Sequence, residues 1–163
     1  MARMIAIISL LLLLTLSAAA QVPTSGNIFF GYSYNRVNFA GSGANFNGWE
    51  GSLEGKVLPW VGMVADVSGQ YGQGESTHSV FFGPRVSASF GRFRPFAHAL
   101  FGVSRFSANP SSDISFADAL GGGLDYRLFH VLGWRFQLDA LQTRFYSASQ
   151  DDFRFSTGIV LHF

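Results

Sequence analysis

Histidine and serine are the residues of this chain best suited to nucleophilic chemistry, because an imidazole can activate a hydroxyl beside it. On a β-strand the two residues must be two positions apart to share a face, and a carboxylate must orient the ring. None of the four histidines is followed two positions later by a serine. His78 and Ser79 are adjacent, with Glu75 nearby, but neighbouring strand residues point to opposite faces. The sequence therefore predicts no catalytic residues and no enzyme.

Patterns that would hold a metal ion or a phosphate group are also missing. The chain has no cysteine, and its histidines and carboxylates do not show metal-ligand spacing. Residues 121–123 are three glycines, but no Lys-Ser or Lys-Thr follows them as in a phosphate-binding loop. We interpret these glycines as room for bulky neighbours or as a site of tight curvature. We expect no metal and no cofactor, and we interpret His98 as a packing residue, with a proton donor to a carboxylate as the alternative.

The composition excludes several classes of protein. Hydrophobic residues make up 48% of the chain and charged residues only 13%, with 18 phenylalanines and 19 glycines. These values fit neither a disordered segment nor an ordinary soluble enzyme. The formal net charge is +1, so the chain has no basic field for nucleic acid. A length of 163 residues allows one domain.

The first twenty residues predict a cleaved signal peptide. Arg3 precedes the apolar residues 5–16, and the small residues 17–20 come before Gln21. Twelve apolar residues span about 18 Å as a helix, which is too short for the roughly 30 Å hydrocarbon layer that a membrane anchor must cross. We expect cleavage after Ala20. This leaves residues 21–163 as one exported domain with ten basic and ten acidic side chains.

Apolar and polar residues alternate with a period of two from Asn27 onward. This alternation predicts that the chain consists of β-strands. In the last eleven residues, Phe153 and Phe155 share one face while Arg154 and Ser156 share the other. Each segment of this kind is long enough to cross a bilayer as a tilted strand. Eight segments show the pattern: residues 28–39, 48–58, 60–70, 79–90, 94–106, 116–128, 133–146 and 151–163.

The connections between these segments alternate in length. Short turns are predicted at residues 59, 91–93 and 130–132. Longer polar loops are predicted at residues 40–47, 71–78, 107–115 and 147–150. The alternation predicts an all-β fold, an eight-stranded antiparallel up-and-down transmembrane β-barrel, with tight turns and both termini at one end and long loops at the other.

Ten charged residues lie on the faces opposite the apolar stripes, five acidic and five basic. They are Glu50, Glu54, Lys56, Asp66, Arg85, Asp125, Arg127, Arg135, Asp139 and Arg154. A soluble barrel keeps its charges outside, but this chain has only one lysine and three glutamates in total. Because an eight-stranded barrel is just wide enough to be filled by side chains, we expect these charges to form a paired network inside the barrel.

Tryptophan and tyrosine residues fall near the predicted strand ends. They are Trp49, Trp60, Tyr71, Tyr126, Trp134 and Tyr146. An amphipathic ring at such a position can keep its polar edge in the headgroup region of a membrane. We predict that these six residues form interfacial girdles, with ordinary core aromatics as the alternative.

The last strand ends on the aromatic Phe163 and has apolar residues at alternate positions before it. It resembles the C-terminal signal that the barrel assembly machinery recognises. Together with Gly31-Tyr32-Ser33-Tyr34 and Gly121-Gly122-Gly123-Leu124-Asp125, it resembles the small OmpA/OmpX-like outer-membrane β-barrel family over nearly all of residues 27–163. The resemblance implies an outer-membrane location, with Phe163 as the assembly signal. The sequence stops with the barrel, so we do not expect the peptidoglycan-binding domain of OmpA or tethering to the cell wall.

The expected partners follow from this resemblance. They are outer-membrane lipid and lipopolysaccharide, and the barrel assembly machinery during insertion; we expect no nucleic acid and a monomer. Four aspartates lie near the predicted outer loops: Asp113, Asp118, Asp151 and Asp152. We interpret them as solvated loop carboxylates, with divalent ions that bridge lipopolysaccharide phosphates as the alternative.

The function that we expect is structural or surface-interacting, with a lumen filled by the charged network. A narrow porin for small solutes is the first alternative, although eight strands argue against a large conductance. A lipid A-modifying barrel enzyme is the second alternative. A periplasmic lipocalin-like binder, with its apolar residues inside, is the third.

Overall fold

The computed structural model describes residues 25–39, 42–72, 74–108, 111–145 and 148–163. The predicted signal peptide, residues 1–20, lies outside these residues. In the described part of the chain, no helix is long and apolar enough to cross a membrane. The strands are β1 (Gly26–Phe39), β2 (Ser42–Leu58), β3 (Val61–Gly72), β4 (Glu75–Ser87), β5 (Phe93–Ala108), β6 (Ser111–Arg127), β7 (Leu132–Phe145) and β8 (Ala148–His162).

The eight strands close into a barrel. Each strand pairs antiparallel with the next, and β1 also pairs with β8 over ten positions. Beyond the last pair, the Gly26 N–H donates to the carbonyl of Phe163 (2.9 Å), and the Phe163 N–H donates to the carbonyl of Gly26 (3.1 Å). A closed sheet has no free edge, so its backbone groups need no water along the wall. The predicted eight-stranded antiparallel up-and-down barrel is confirmed.

The two ends of the barrel have different compositions. We call the base the end that holds the turns at residues 59–60, 88–92 and 128–131, together with Gly26 and His162. The opposite end is the rim, where β1 ends at Phe39 and β2 begins at Ser42. Polar residues predominate in the strands near the rim, whereas apolar residues predominate on the outer face closer to the base.

The predicted long loops at the rim are wrong. The strands continue through most of residues 40–47, 71–78, 107–115 and 147–150. Their glycine, serine and asparagine residues are compatible with loops, but cross-strand pairing extends into them, as in Arg36 opposite Asn45 and Tyr71 opposite Ser76. Pairing with a neighbouring strand thus overrides the local preference for turns.

The wall of the barrel is apolar outside and largely polar inside. Along β8, Phe153 is 62% exposed and the next residue, Arg154, is fully buried. Along β7, Leu138 faces outward at 62% exposure, whereas Asp139 is buried. The alternation follows from the pleat of a strand, which sends successive side chains to opposite faces. The predicted apolar stripes on the last two strands therefore lie outside.

Apolar side chains also fill one side of the lumen. Val64, Phe81, Leu100, Ala119 and Leu141 belong to a buried cluster carried by strands β3 to β7. Buried charges lie beside this cluster, as Glu54 on β2 does directly opposite Val64 on β3. The lumen is therefore a packed core with an apolar part and a charged part.

Candidate functional site: the ion-pair network in the lumen

Arg154 is the centre of the buried charges. Its guanidinium lies 2.6 Å from Asp139 (Nη2 to Oδ2), 3.3 Å from Asp66 (Nη1 to Oδ1) and 3.3 Å from Glu50 (Nε to Oε2). All four side chains are fully buried. The four residues come from β8, β7, β3 and β2, and the period of two places each of them on the inner face. A planar guanidinium with five donors suits this arrangement, because it can bond several carboxylates at once.

Neutral side chains complete the hydrogen bonding of these carboxylates. The amide nitrogen of Gln137 donates to Glu50 (2.7 Å) and to Asp139 (2.9 Å). Ser156 donates to the other oxygen of Glu50. Buried carboxylates that accept several hydrogen bonds lose less free energy on leaving water. Gln137 is not among the predicted network residues, although its position between Arg135 and Asp139 in the period of two indicates the inner face.

His98 connects the Arg154 group to Arg85. Its Nε2 lies 2.8 Å from Oδ1 of Asp139, and its Nδ1 lies 3.2 Å from Nη2 of Arg85. An arginine can only donate, so Nδ1 accepts and Nε2 carries the hydrogen that is donated to Asp139. The interpretation of His98 as a simple packing residue is therefore incomplete, because the ring bridges two charged groups.

Glu54 is the acceptor for a second group of side chains, closer to the base. It accepts hydrogen bonds from Asn27 (2.6 Å) and Arg85 (3.3 Å) and pairs with Lys56 (2.9 Å). Lys56 also donates to Ser87 (2.5 Å). The only lysine of the chain is thus held by a buried carboxylate and a hydroxyl.

Arg135 and Asp125 form a bidentate pair near the base. Nε of Arg135 lies 2.6 Å from Oδ1 of Asp125, and Nη2 lies 2.8 Å from Oδ2. The same Nη2 donates to the amide oxygen of Asn27 (3.0 Å), while the amide nitrogen of Asn27 binds Glu54. Asn27 therefore joins the two groups, and sequence analysis missed it because an uncharged residue did not enter the count of charges.

Three buried phenylalanines pack against the arginines. The ring of Phe96 has the guanidinium of Arg85 at 4.3 Å and that of Arg135 at 4.7 Å from its centroid. Arg135 is also 5.0 Å from the ring of Phe29, and Arg154 is 5.8 Å from that of Phe81. Cation–π contacts are strongest where the cation is desolvated, as here. The phenylalanine side chains thus share the lumen with the charges, and Phe96 contacts two arginines at once.

Two of the three consecutive glycines of β6 make room for this network. A Cβ on Gly121 would lie 2.0 Å from Oδ1 of Asp139, and a Cβ on Gly123 would lie 2.7 Å from the ring of Phe96. Any side chain at these positions would displace the network residues. The interpretation of residues 121–123 as room for bulky neighbours therefore agrees with the structure at Gly121 and Gly123, whereas a Cβ on Gly122 would meet the backbone carbonyl of Phe96.

The structure brings nine of the ten predicted charges together, and Arg127 is the exception. Arg127 ends β6 at the base, and its side chain is exposed. It lines an open cavity there instead of entering the ion-pair network. Its position on the inner face was predicted from the period of two, but the strand ends at Arg127, so the barrel wall does not enclose its side chain.

The predicted girdle residues occupy different heights on the outer wall. Trp60 and Trp134 lie near the base, as does Tyr126, and Tyr71 lies near the rim. The side chain of Tyr146 lies outside the described residues. Trp49 is not near the end of its strand as predicted, because β2 extends seven residues beyond it to Ser42.

Other aromatic side chains nevertheless surround Trp49 at the same height on the outer wall. It is opposite Tyr32 on β1, and its ring stacks against Phe30 with centroids 6.5 Å apart. Tyr71 follows two positions closer to the rim, opposite Asn47. Beyond this level, the outward-facing residues of β1 and β2, such as Arg36 and Asn45, are polar.

His78 and Ser79, which were considered as a catalytic pair, point to opposite faces of the barrel wall. His78 is exposed on the outer face against Tyr71, whereas Ser79 is buried in the lumen, 2.9 Å from Ser104. No group of three or more possible metal ligands occurs among the described residues. The four aspartates interpreted as loop carboxylates lie instead in β6 and β8, and Asp152 is buried. That interpretation is wrong for their location, because the strands extend to the rim.

Comparisons with known proteins agree with this architecture. No protein-family model matches the chain, and no curated protein matches its sequence. The crystal structure of Neisserial surface protein A superposes with a TM-score of 0.72 at 9% sequence identity, over 85% of this chain and 97% of that protein. The N-terminal β-barrel domain of Pseudomonas aeruginosa OprF superposes with a TM-score of 0.59 at 14% identity, over 88% and 100%.

A third similar structure is Ail, the attachment invasion locus protein of Yersinia pestis. It has a TM-score of 0.56 at 15% identity and covers 85% of this chain and 97% of its own. At these identities the likeness concerns the fold. The chain therefore has the fold of the small eight-stranded outer-membrane β-barrels, as its resemblance to OmpA/OmpX-like proteins predicts.

Proposed function

We propose that this protein is an integral outer-membrane protein whose lumen is closed by ion pairs and whose role is structural or surface-interacting. The observation that carries the proposal is the position of Arg154, fully buried in a barrel with an apolar exterior and bonded to carboxylates from three other strands. Export by a signal peptide cleaved after Ala20 is part of the proposal. The charged interior and apolar exterior reverse the arrangement of a soluble barrel.

The outer wall supports insertion into a membrane. Its exposed side chains include Phe30, Phe82, Phe101, Leu120 and Leu138, each more than half exposed. They come from β1, β4, β5, β6 and β7, so the apolar surface surrounds the barrel. A soluble monomer rarely exposes a continuous apolar patch of more than a few hundred Å². In lipid the same surface is favourable, and the closed backbone meets the demand for internal hydrogen bonds.

Contacts that cross the lumen support a closed barrel over a porin. Gln137 on β7 and Glu50 on β2 are three strands apart around the wall, and their amide–carboxylate contact is 2.7 Å. Arg154 on β8 reaches Asp66 on β3, again three strands away. Direct bonds across the lumen narrow any water path at that level. A stable conductance would require these bonds to break.

The polar part of the strands at the rim supports a surface role. In outer-membrane barrels the longer segments lie outside the cell and the short turns lie in the periplasm. Here β2 continues seven residues beyond Trp49, and its outward-facing residues Asn45 and Asn47 are polar and exposed. We propose that this rim faces the medium and lipopolysaccharide, and that the base faces the periplasm. Recognition of the last strand, ending at Phe163, by the barrel assembly machinery completes the proposal.

Three measurements test the proposed function. The mature chain should remain in the membrane after extraction of Gram-negative outer membranes with alkaline carbonate, and unheated samples should migrate as a folded barrel in electrophoresis. In planar lipid bilayers the purified protein should show no stable open state. Release into the aqueous fraction would reject the membrane location, whereas a long-lived ion-selective current would replace the closed barrel by a narrow porin.

A further inference from the structure

The base of the barrel carries a marked excess of positive charge. Within four positions of the base end of each strand, and in the base turns, there are six basic side chains (lysine or arginine) and two acidic ones, an excess of four positive side chains. The cations are Lys56, Arg85, Arg92, Arg94, Arg127 and Arg135. The carboxylates are Glu54 and Asp125. Because the mature sequence has equal numbers of basic and acidic side chains, this excess is a feature of one end only.

The two carboxylates at the base are already bonded to other cations. Glu54 is held by Arg85 and Lys56. Asp125 makes both of its short contacts with Arg135. Neither carboxylate is thus available to neutralise the remaining arginines of the base.

Arg94 and Arg127 are the two arginines that face the opening at the base. Among the described residues, neither forms an ion pair with a carboxylate. Arg94 donates to Nδ1 of His162 (3.2 Å), which fixes one end of its guanidinium. Both line a cavity of about 430 Å³ together with Lys56 and His162.

We propose that this cavity binds a phosphate group. Arginine presents planar donors that match the oxygens of a phosphate, and two arginines with no carboxylate partner retain their donors for such an anion. The partly enclosed position strengthens the attraction relative to an open surface. The phosphate could come from a phospholipid headgroup at the edge of the inner leaflet or from a free phosphate compound in the periplasm. Only the lipid source depends on the proposed membrane location.

The first experiment titrates the mature protein, folded in maltoside micelles, with inorganic phosphate at constant ionic strength. Amide resonances of Gly26 and His162 are followed by NMR. We expect saturable shifts that chloride does not produce. Shifts that do not saturate, or that chloride reproduces, would overturn the proposal.

Matched variants assign the site. R94Q and R127Q should each weaken phosphate binding by about tenfold, the usual effect of removing one charge-assisted contact. R105Q removes the same charge from an exposed position near the rim and should leave the affinity unchanged. Heat-modifiable mobility in electrophoresis verifies that each variant is folded. If folded R94Q and R127Q bind phosphate as tightly as R105Q does, the proposed site is wrong.

A second experiment distinguishes the two sources of phosphate. The protein is placed in phosphatidylglycerol nanodiscs and titrated again with inorganic phosphate. A lipid headgroup in the cavity should shift the Gly26 and His162 resonances before any phosphate is added and should block the titration. A free ligand predicts the same titration as in micelles. Either result retains the site, and the absence of both effects would reject it.

Discussion

Asp139 and Arg154 are directly opposite each other on β7 and β8, and Nη2 of Arg154 lies 2.6 Å from Oδ2 of Asp139 in a fully buried pair. Asp139 also accepts from His98 and Gln137. A single carboxylate therefore receives hydrogen bonds from three side chains. Because it neutralises an arginine that water does not reach, the pair connects the electrostatics of the lumen to the stability of the wall.

Removal of Asp139 should destabilise the barrel. D139A leaves Arg154 without its shortest carboxylate contact and His98 without its acceptor, so we expect the free energy of unfolding to fall by about 3–5 kcal/mol. Urea unfolding of the protein in lipid vesicles measures the change. F155L, on the outer face of β8, is the control and should cost less than about 1.5 kcal/mol. Equal effects of the two substitutions would contradict a stabilising network.

Substitution of a buried arginine at the base should reduce the free energy of unfolding more than substitution of an exposed one. R135A removes the bidentate partner of buried Asp125, and we expect a loss of about 3–5 kcal/mol. R127A removes an exposed guanidinium and should change the free energy of unfolding by less than about 0.5 kcal/mol. The same urea titration compares them. A large loss in R127A would mean that Arg127 belongs to the network after all.

An arginine introduced on the outer wall should lower the free energy of unfolding more when it lies deeper in the bilayer. Leu138 lies six residues along β7 from the base and faces outward, whereas Val57 faces outward one residue from the base end of β2. L138R should destabilise the protein in a bilayer by about 2–4 kcal/mol, and V57R by about 0–1 kcal/mol. Unfolding in vesicles measures both. If L138R were tolerated as well as V57R, this wall would not face hydrocarbon.

A methyl group at Gly121 should disturb the network from the neighbouring strand, because Gly121 on β6 is directly opposite Asp139 on β7. A Cβ there would lie 2.0 Å from Oδ1 of Asp139 and 2.4 Å from the carbonyl of Leu138. Because a backbone carbonyl cannot move aside freely, G121A should cost about 1–3 kcal/mol. At Gly51 the nearest atom to a Cβ is 3.7 Å away, so G51A should be nearly neutral. Similar unfolding midpoints for the two variants would rule out the steric role of Gly121.

Much of the network could be predicted from the period of two, because strand geometry assigns each residue to a face without knowledge of its partners. That rule placed Glu50, Asp66, Arg135 and Asp139 together with Arg154 on the inner face before any coordinates. It did not reveal His98 and Gln137 as network members, since a count of formal charges does not register neutral donors. The period of two also could not show that Arg127 lies outside the network, because the exposure of its side chain depends on where β6 ends.

Alternation along the chain by itself determined the eight strands, their two faces and the balance of charges. The tertiary structure decided which residues meet, for example that Gln137 contacts Glu50 across the lumen and that Asn27 joins Glu54 to Arg135. These partners are far apart in sequence, and their contact depends on the register of every intervening strand pair and on closure between β1 and β8. The lengths of the strands at the rim were likewise decided by pairing, because hydrogen bonds to a neighbouring strand stabilise residues whose local preference is a turn.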